Sequence, residues 1–346
     1  MRLSALAVWL VLASPALADD LDRAKMAGIA GSERLQLFAF GKLLETGAAP
    51  RGAVLAMKQG MVRQGFYYDP GTAPLIAREA WVAPVLSYDG NINGGTLQDS
   101  FVFDGLTFDA APDYRAKAGL VAGLAAGSQM RLAWDNGRFL EATARGEAVW
   151  SPKYQISRSN AELGLCSRNH VTGWTFLDLC QTTSAVSRDL GHTTSRMTDL
   201  SLSQLFAAGG GYHEVAADVS RTAYDIGDQA AVTLAWNAVW DAAATNLSLT
   251  AAAPIKGETA LRWRVEAGVN WLWQGQSVGV DLWHQQADGG TFLLSPRSDN
   301  AIGIGVSYEI RPGLTTQIGY MVNRSTVDFF RYDQLSLNLR FSALHW

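Results

Sequence analysis

Charged side chains in this chain recur in stretches where they alternate with apolar ones. Acids and bases placed this way could pair with one another and brace an interior. They could equally line a polar pore that selects solutes, and the sequence leaves both interpretations open. Either role requires secondary structure that places all of these charged side chains on one face. The candidates are Glu141, Arg145, Glu147, Arg262, Arg264, Glu266, Glu309, Arg311 and Arg340.

Two cysteines, Cys166 and Cys180, are the only ones in the chain. In an exported protein an even pair favours a disulfide. Closing a loop of about 15 residues would contribute roughly 3 kcal/mol in the chain-entropy model. The bond requires the two residues to face each other across a hairpin. If residues 171–180 formed a strand of their own, the pair would lie at opposite rims.

Motifs that would indicate an enzyme are missing from the sequence. None of the five histidines lies in a His-Glu-x-x-His motif, and no Gly-x-Ser-x-Gly motif occurs. His170 and the cysteines lack the spacing of a metal site. We therefore predict no catalytic, cofactor-binding or metal-ligating residue. The net charge of -4 and the lack of a basic run also argue against a nucleic-acid partner.

The charged candidates lie in segments with the two-residue period of a β-strand. From Leu261 to Trp273, bulky apolar residues alternate with Arg262, Arg264 and Glu266, so the two faces of the strand meet different media. Tryptophans near both ends, and a length beyond the ~9–11 residues of a spanning strand, favour a membrane. The pattern recurs in residues 142–150, 232–240, 302–311 and 335–341.

The spacing of turn residues supports the same interpretation. Tight turns are expected near residues 135–137, 209–211, 241–242, 274–275 and 311–313, and longer connections at 181–197, 287–300 and 324–333. Outer-membrane barrels alternate short and long connections, whereas a soluble sandwich has no reason to do so. We predict an all-β fold, a transmembrane antiparallel up-and-down β-barrel of about 14–16 strands over residues 75–346.

The N-terminus predicts export. In residues 1–18, Arg2 precedes an apolar run, and residues 16–18 form a small-x-small cleavage site, as in a signal peptide. The run is shorter than the ~20 residues a spanning helix needs. The expected location is therefore the outer membrane of a Gram-negative envelope, with outer-membrane lipids and the barrel assembly machinery as partners.

Residues 19–74 predict a short helical lead on the periplasmic side. Ser32 is a plausible N-cap for one helix, and Arg51 to Arg63 form a second. One helix pair is too little for a helical array, so we favour a periplasmic or lumen-plugging lead. At the other end, a terminal aromatic residue is typical of barrels that the assembly machinery recognises. Either Phe341 or Trp346 could end the last strand.

The segment from Ala83 to Gly95, with Tyr88, Asp89, Asn91 and Asn93, resembles the first barrel strand of the surface lipoprotein assembly modifier family. The stretch from Trp174 to Cys180 resembles the middle of that barrel. The resemblance implies an outer-membrane barrel that helps move a surface lipoprotein client to the cell surface. The chain lacks the family's full tetratricopeptide-type N-terminal domain. A porin-like channel for small polar solutes and a structural or adhesive barrel are the alternatives.

Overall fold

The computed structural model describes residues 20–47, 49–71, 74–103 and 105–346. The predicted signal peptide lies outside the described residues. The strands are β1 Leu75–Asp89, β2 Ser100–Phe103, β3 Leu106–Asp109, β4 Gly119–Asp135, β5 Arg138–Ser151, β6 Ile156–Thr172, β7 Thr175–Arg188, β8 Gly191–Ala208, β9 Gly211–Tyr224, β10 Gly227–Val239, β11 Ala243–Ala252, β12 Ala260–Trp273, β13 Gln276–Phe292, β14 Ser295–Arg311, β15 Leu314–Ser325, β16 Tyr332–Phe341 and β17 Leu344–His345.

Fourteen of these strands, β1 and β4 to β16, form a closed antiparallel barrel. Each strand pairs with its neighbours in the chain, and β1 closes the barrel by pairing with β16. Closure satisfies the backbone hydrogen bonds of every barrel strand, which is what allows a sheet to sit in lipid. The predicted fold class is confirmed, at the lower end of the expected strand number.

The barrel wall has an apolar outer face. In β4, Leu120, Leu124 and Met130 point outward and are 60%, 58% and 42% exposed, whereas Val121 and Ala133 of the same strand point inward and are buried. The same alternation runs through the other barrel strands. An exterior of exposed, bulky apolar side chains is stable in a membrane and not in water. The barrel is therefore built to span a bilayer.

One end of the barrel, here called the tight-turn end, carries the short connections expected from the sequence. The β4–β5, β8–β9, β10–β11, β12–β13 and β14–β15 hairpins all turn there, together with a β6–β7 turn at Gly173 that the sequence analysis missed. At the opposite end, called the loop end, the longest connection joins β1 to β4 and includes the β2–β3 hairpin.

Two predicted long connections were wrong. β7 and β8 meet in a tight turn at Asp189 and Leu190, and β13 and β14 meet at Leu293 and Leu294. Backbone pairing continues almost to each tip, for example between Ser187 and His192. A strand pair that projects beyond the lipid has water on both faces. Its side chains therefore lose the apolar alternation by which a strand is recognised.

Three short helices precede the barrel: α1 Asp20–Ala27, α2 Glu33–Glu45 and α3 Arg51–Arg63. Ser32 caps α2 as predicted, since its Oγ accepts a hydrogen bond from the Leu35 backbone N–H at 3.1 Å. Within the described part of the chain, no helix has both the length and the apolar character to cross a membrane.

The sequence left open whether Phe341 or Trp346 ends the last strand, and in the structure both residues end a paired segment. β16 ends at Phe341, and after a two-residue break β17 pairs with Trp81 and Val82 of β1. The Trp346 backbone then exchanges two hydrogen bonds with Ala80, at 3.0 and 3.1 Å. The last residues thereby extend the wall beside the seam at which the barrel closes.

The predicted disulfide is present. Cys166 of β6 and Cys180 of β7 are register partners and are bonded to each other. Both side chains point into the barrel and are nearly buried. The β6–β7 hairpin turns close by at Gly173, so the alternative that places the pair at opposite rims was wrong.

Candidate functional site

The interior of the barrel is filled on one side at the tight-turn end by the helical lead. Phe38 of α2 is 2% exposed and packs edge-on against Trp174 and Tyr212, at ring-centroid distances of 4.9 and 5.5 Å. Leu35 is fully buried in the same cluster, which includes lumen-facing residues of β7 to β10. The helices therefore cover this side of the mouth, here called the helix side.

A row of alternating charges runs beside the helices, and we call it the charge ladder. It consists of Glu33, Arg131, Glu141, Arg168, Asp178 and Arg34 in that order. Each is joined to the next by an ion pair of 2.6 to 2.9 Å. Of its four inner members, Arg131, Glu141 and Asp178 have only 5–7% of their side chains exposed, and Arg168 has 31%.

The charge ladder is electrically neutral and joins α2 to four consecutive strands. Each buried charge has an opposite charge on both sides, so the cost of removing it from water is offset by two partners. The pattern follows from strand register, since Arg131 lies opposite Glu141 across β4 and β5. This arrangement braces the lumen and borders a cavity of about 320 Å³, which is smaller than the cavity on the opposite side of the lumen.

The opposite side of the lumen contains a cavity of about 700 Å³ along β1 and β16, here called the cavity side. Its lining runs from Glu79 and His345, near the tight-turn end, to Asp89 and Arg188 near the loop end. The cavity therefore follows the long direction of the barrel wall. This is the shape that a passage through the barrel requires.

Small residues on the neighbouring strand β4 make room for this cavity. On β4, Gly123, Ala125 and Gly127 face the lumen, and Ala125 lines the cavity. A Cβ atom on Gly127 would lie 2.6 Å from the Trp81 ring. The glycine is therefore needed to let this indole lie flat against the wall rather than across the passage.

The cavity lining is polar and balanced in charge. Arg158 binds both Asp89 and Glu147, the latter at 2.7 Å. Arg340 also lines the cavity, and it makes no ion pair with any residue in the described ranges. Balanced, partly exposed charges suit hydrated solutes better than apolar ones. The charged lining residues are Glu79, Asp89, Glu147, Arg158, Arg188 and Arg340.

Residues 90–95, here called the inward turn, fold into the lumen at the loop end. Ile92 is fully buried against the lumen-facing Val121 and Val149. Asn93 is also fully buried, donates to the Arg115 carbonyl at 2.8 Å and accepts from the Lys117 backbone N–H at 2.8 Å. The inward turn narrows the barrel from this end.

Of the four residues that carry the family resemblance, Asp89, Asn91 and Asn93 stabilise the inward turn. The Asp89 carboxylate accepts from the Asn91 backbone N–H at 2.8 Å, and Asn91 in turn donates to the Gly95 carbonyl at 2.8 Å. Asn93 fixes the turn from inside. Tyr88, by contrast, faces outward from β1 and is 37% exposed.

The β2–β3 hairpin is attached to the loop end by an aromatic cluster. Phe101 contacts Phe108 of the same hairpin at 5.4 Å and Phe329 of the β15–β16 connection at 5.0 Å. Phe329 stacks on Phe292 from the β13–β14 hairpin at 5.2 Å. The hairpin thus reaches from the β1–β4 connection to the tips of β13 to β16.

The charged residues predicted to face the lumen fall into separate groups. Arg145 and Glu147 point inward from β5, but only Glu147 lines the cavity. Arg264 pairs with Glu266 on the same strand and lies over the Trp283 ring at 4.7 Å. The structure therefore does not gather the predicted residues at a single site.

The remaining predicted residues lie near register irregularities or the tight-turn end. Arg262 is at a bulge in β12 and pairs with Asp288 at 3.4 Å. Glu309 accepts from the Ser277 backbone N–H at 3.4 Å. Arg311 is the last residue of β14, beside a turn and beyond a second register shift, so it lies at the rim.

Arg131, Arg168 and Asp178, half of the charge ladder, were not among the residues predicted from the sequence. The tight turn at residues 135–137 would by itself set Arg131 opposite Ala142, and the register shift between Ala133 and Asp135 moves it opposite Glu141, so the turn was not a sufficient signal. The ion pair between Asp178 and Arg34 could not be predicted, because no local sequence pattern shows which strand a helix will contact.

Comparison with models of known protein families finds no match, and comparison with curated proteins finds none either. Several solved structures from Pseudomonas aeruginosa resemble the fold. OpdK with vanillate is 12% identical, with a TM-score of 0.41 over 78% of this chain and 98% of that one. OccK2 (OpdF) in complex with glucuronate is 8% identical, with a TM-score of 0.43 over 79% and 99%. OpdO is 10% identical, with a TM-score of 0.44 over 78% and 97%.

These results correct the resemblance drawn from the sequence. The assignment to the surface lipoprotein assembly modifiers was wrong: no family match supports it, and the structures that match are Opd and Occ proteins instead. The quoted asparagines follow from the needs of a tight inward turn, and Asn and Asp are common in such turns in unrelated folds. At these TM-scores and identities, the solved structures do not indicate a function for this chain.

Proposed function

We propose that this protein is an outer-membrane channel that lets small polar solutes pass along the cavity side of the barrel. The observation that carries the proposal is the polar cavity of about 700 Å³ that follows β1 and β16. On the helix side the helices pack over the mouth and the cavity beside the charge ladder is only about 320 Å³, so the cavity side is the favoured route. Because outer-membrane barrels have their short turns in the periplasm, we expect the tight-turn end to face the periplasm.

The chemistry of the route favours hydrated solutes over apolar ones. Three acids and three arginines line it, the inward turn narrows it at the loop end, and Arg63 of α3 lies 4.0 Å from Glu79 at the other end. Narrowing at both ends limits the size of a solute, while a balanced lining gives only modest selectivity for charge. We therefore expect a small, weakly ion-selective channel rather than a wide pore.

The proposal is tested by folding the protein into phospholipid vesicles and measuring swelling in neutral sugars of increasing size. We expect the smallest sugars to enter and the larger ones to be excluded. Mobility on unheated and heated gels shows that the barrel is folded. A folded barrel that admits no sugar and carries no ionic current would overturn the proposal.

Two alanine substitutions provide a matched pair for the route. Ala125→Phe adds a ring to the cavity side from β4, and Ala216→Phe adds the same ring from β9 near the charge ladder. Both alanines are half-buried and face the lumen. We expect Ala125→Phe to slow swelling strongly and Ala216→Phe to leave it nearly unchanged. If the two substitutions slow swelling equally, the solutes do not pass along the cavity side.

A further inference from the structure

Two arginines lie side by side on the outer face of the barrel. Arg196 of β8 and Arg221 of β9 both point outward and are exposed. Arg196 of β8 is the register partner of Ala223 of β9, and Arg221 lies two residues before Ala223 on β9. The two are therefore diagonal neighbours, close enough for both guanidinium groups to reach one ligand.

The arginines lie at the border of the apolar belt. On the same outward faces, toward the tight-turn end, are the exposed apolar side chains of Leu200, Leu202 and Val219. Along β8, Arg196 to Phe206 is a span of 11 residues, which matches the ~9–11 residues that a tilted strand needs to cross a bilayer. Arg196 thus lies at one membrane interface, with aromatic Phe206 at the other.

A groove in the outer wall adjoins the two arginines. It has a volume of about 530 Å³, and its lining includes Leu179, Leu200, Val219 and Ala230 together with both arginines. Small side chains at this level, such as Ala230, leave the depression between larger neighbours. An apolar groove with two cations at its upper edge is complementary to an amphiphile with an anionic head.

We infer that this surface binds a phosphorylated lipid of the outer leaflet, with its phosphate on Arg196 and Arg221 and its acyl chains in the groove. Guanidinium groups present a planar set of donors that matches phosphate oxygens. A soluble anion would contact only the arginines, whereas a lipid would contact the arginines with its phosphate and Leu200 and Val219 with its acyl chains. The inference rests on the membrane location given under the proposed function, but it does not require the barrel to conduct.

The acidic neighbours of the site leave the arginines available. Arg221 pairs with Asp228, but the two side chains are 73% and 48% exposed, and such surface pairs are weak. Asp225 is engaged by the backbone and hydroxyl of Thr194, at 3.0 and 2.8 Å. A phosphate would therefore meet two arginines, of which one is shared with a single carboxylate.

Arg324 of β15 provides a matched control. It also faces outward and is exposed, but its register partner on β14 is Asn300. On the other side, β16 places Asp333 diagonally next to it. Arg324 therefore has the charge of the proposed site without the second arginine, and a substitution there measures the effect of losing one exposed cation.

The test measures retention of lipid A by the full-length protein in mild detergent, by native mass spectrometry over a lipid titration. The proteins are wild type, the double variant Arg196→Ser/Arg221→Ser, and Arg324→Ser. Two arginines at a charged membrane surface are worth about thirtyfold in affinity. We expect that loss in the double variant, wild-type retention in Arg324→Ser, and the same loss when wild type meets dephosphorylated lipid A.

Three outcomes would overturn the assignment. Equal retention by wild type and the double variant would remove the arginines from the site. Equal losses in the double variant and Arg324→Ser would reveal unspecific attraction. Equal binding of lipid with and without phosphate would show that the groove alone holds the acyl chains. Heat-dependent gel mobility shows that each variant is folded, and a barrel that binds lipid but carries no current would count only against the channel.

Discussion

The two sides of the lumen are built from strands of the same kind, but their interiors differ. On the helix side, long charged side chains and apolar helix residues fill the space, and every inner charge of the ladder is paired twice. On the cavity side, glycine and alanine leave space, and Arg340 has no ionic partner among the described residues. The size and pairing of inward-facing residues therefore decide which side of one barrel is filled and which side contains the larger cavity.

The largest effect should come from detaching the helices. Phe38→Asp places a carboxylate between Trp174 and Tyr212. Loss of a buried phenylalanine costs about 3–5 kcal/mol, and an unpaired buried charge adds to that cost. We expect the helices to leave the mouth and single-channel conductance to rise several-fold. Val54→Asp in α3, where the side chain is 50% exposed, should behave as wild type. Unchanged conductance after release of the helices, shown by their proteolysis, would argue against a closed helix side.

The next largest effect should come from breaking the charge ladder. Glu141→Gln leaves Arg131 and Arg168 without the carboxylate that they share. Removing one partner from a buried ion pair costs about 3–5 kcal/mol. We expect a clearly lower urea midpoint for unfolding of the reconstituted barrel. Glu147→Gln, on the same face of the same strand but on the cavity side, should cost much less. Equal costs would remove the distinction between the two sides.

The disulfide should have a smaller effect on stability. Reducing Cys166–Cys180 frees two adjacent strands that are already paired. The bond closes a short loop, and the chain-entropy model gives roughly 3 kcal/mol for about 15 residues. We expect Cys166→Ser/Cys180→Ser to unfold at lower urea with unchanged conductance. A change in conductance would show that the bond shapes the passage as well as the wall.

The smallest effect should come from Arg340. In water, a unit charge at about 4 Å changes the energy of an ion by about 1 kcal/mol, a factor of about five in local concentration. We expect Arg340→Gln to shift the anion-to-cation permeability ratio toward cations by up to about that factor, measured as a reversal potential in a salt gradient. Arg324→Gln, on the outer face, should leave the ratio unchanged. A shift of equal size there would mean that surface charge sets the ratio.

The sequence predicts the wall of this barrel well because the wall obeys a local rule. Strands such as β12 alternate bulky apolar and polar residues, and that pattern needs no knowledge of the partner strand. Ser32 and the tight turns are local signals too. Strand ends beyond the lipid carry no such alternation, which is why the β7–β8 and β13–β14 connections were predicted too long.

The lumen is harder to predict because it depends on contacts across the barrel. Arg34 meets Asp178, 144 residues away in the chain. The position of a helix inside a barrel depends on several strands at once. Alternation identifies Arg145, Arg264 and Glu266 as inward-facing but not what lies opposite them. The cavity side is still harder to predict, because part of its space is left by small residues such as Ala83 and Ala125, which occur in many strands that border no cavity.

The most direct test of the central claim is chemical modification of the open channel at two serines. Ser336 of β16 lines the cavity, and Ser201 of β8 faces the lumen near the charge ladder. Both native cysteines are bonded, so Ser336→Cys or Ser201→Cys introduces the only free thiol. A cationic methanethiosulfonate should lower the single-channel current in Ser336→Cys and leave it unchanged in Ser201→Cys. Block in Ser201→Cys alone, or in neither variant, would contradict a passage along the cavity side.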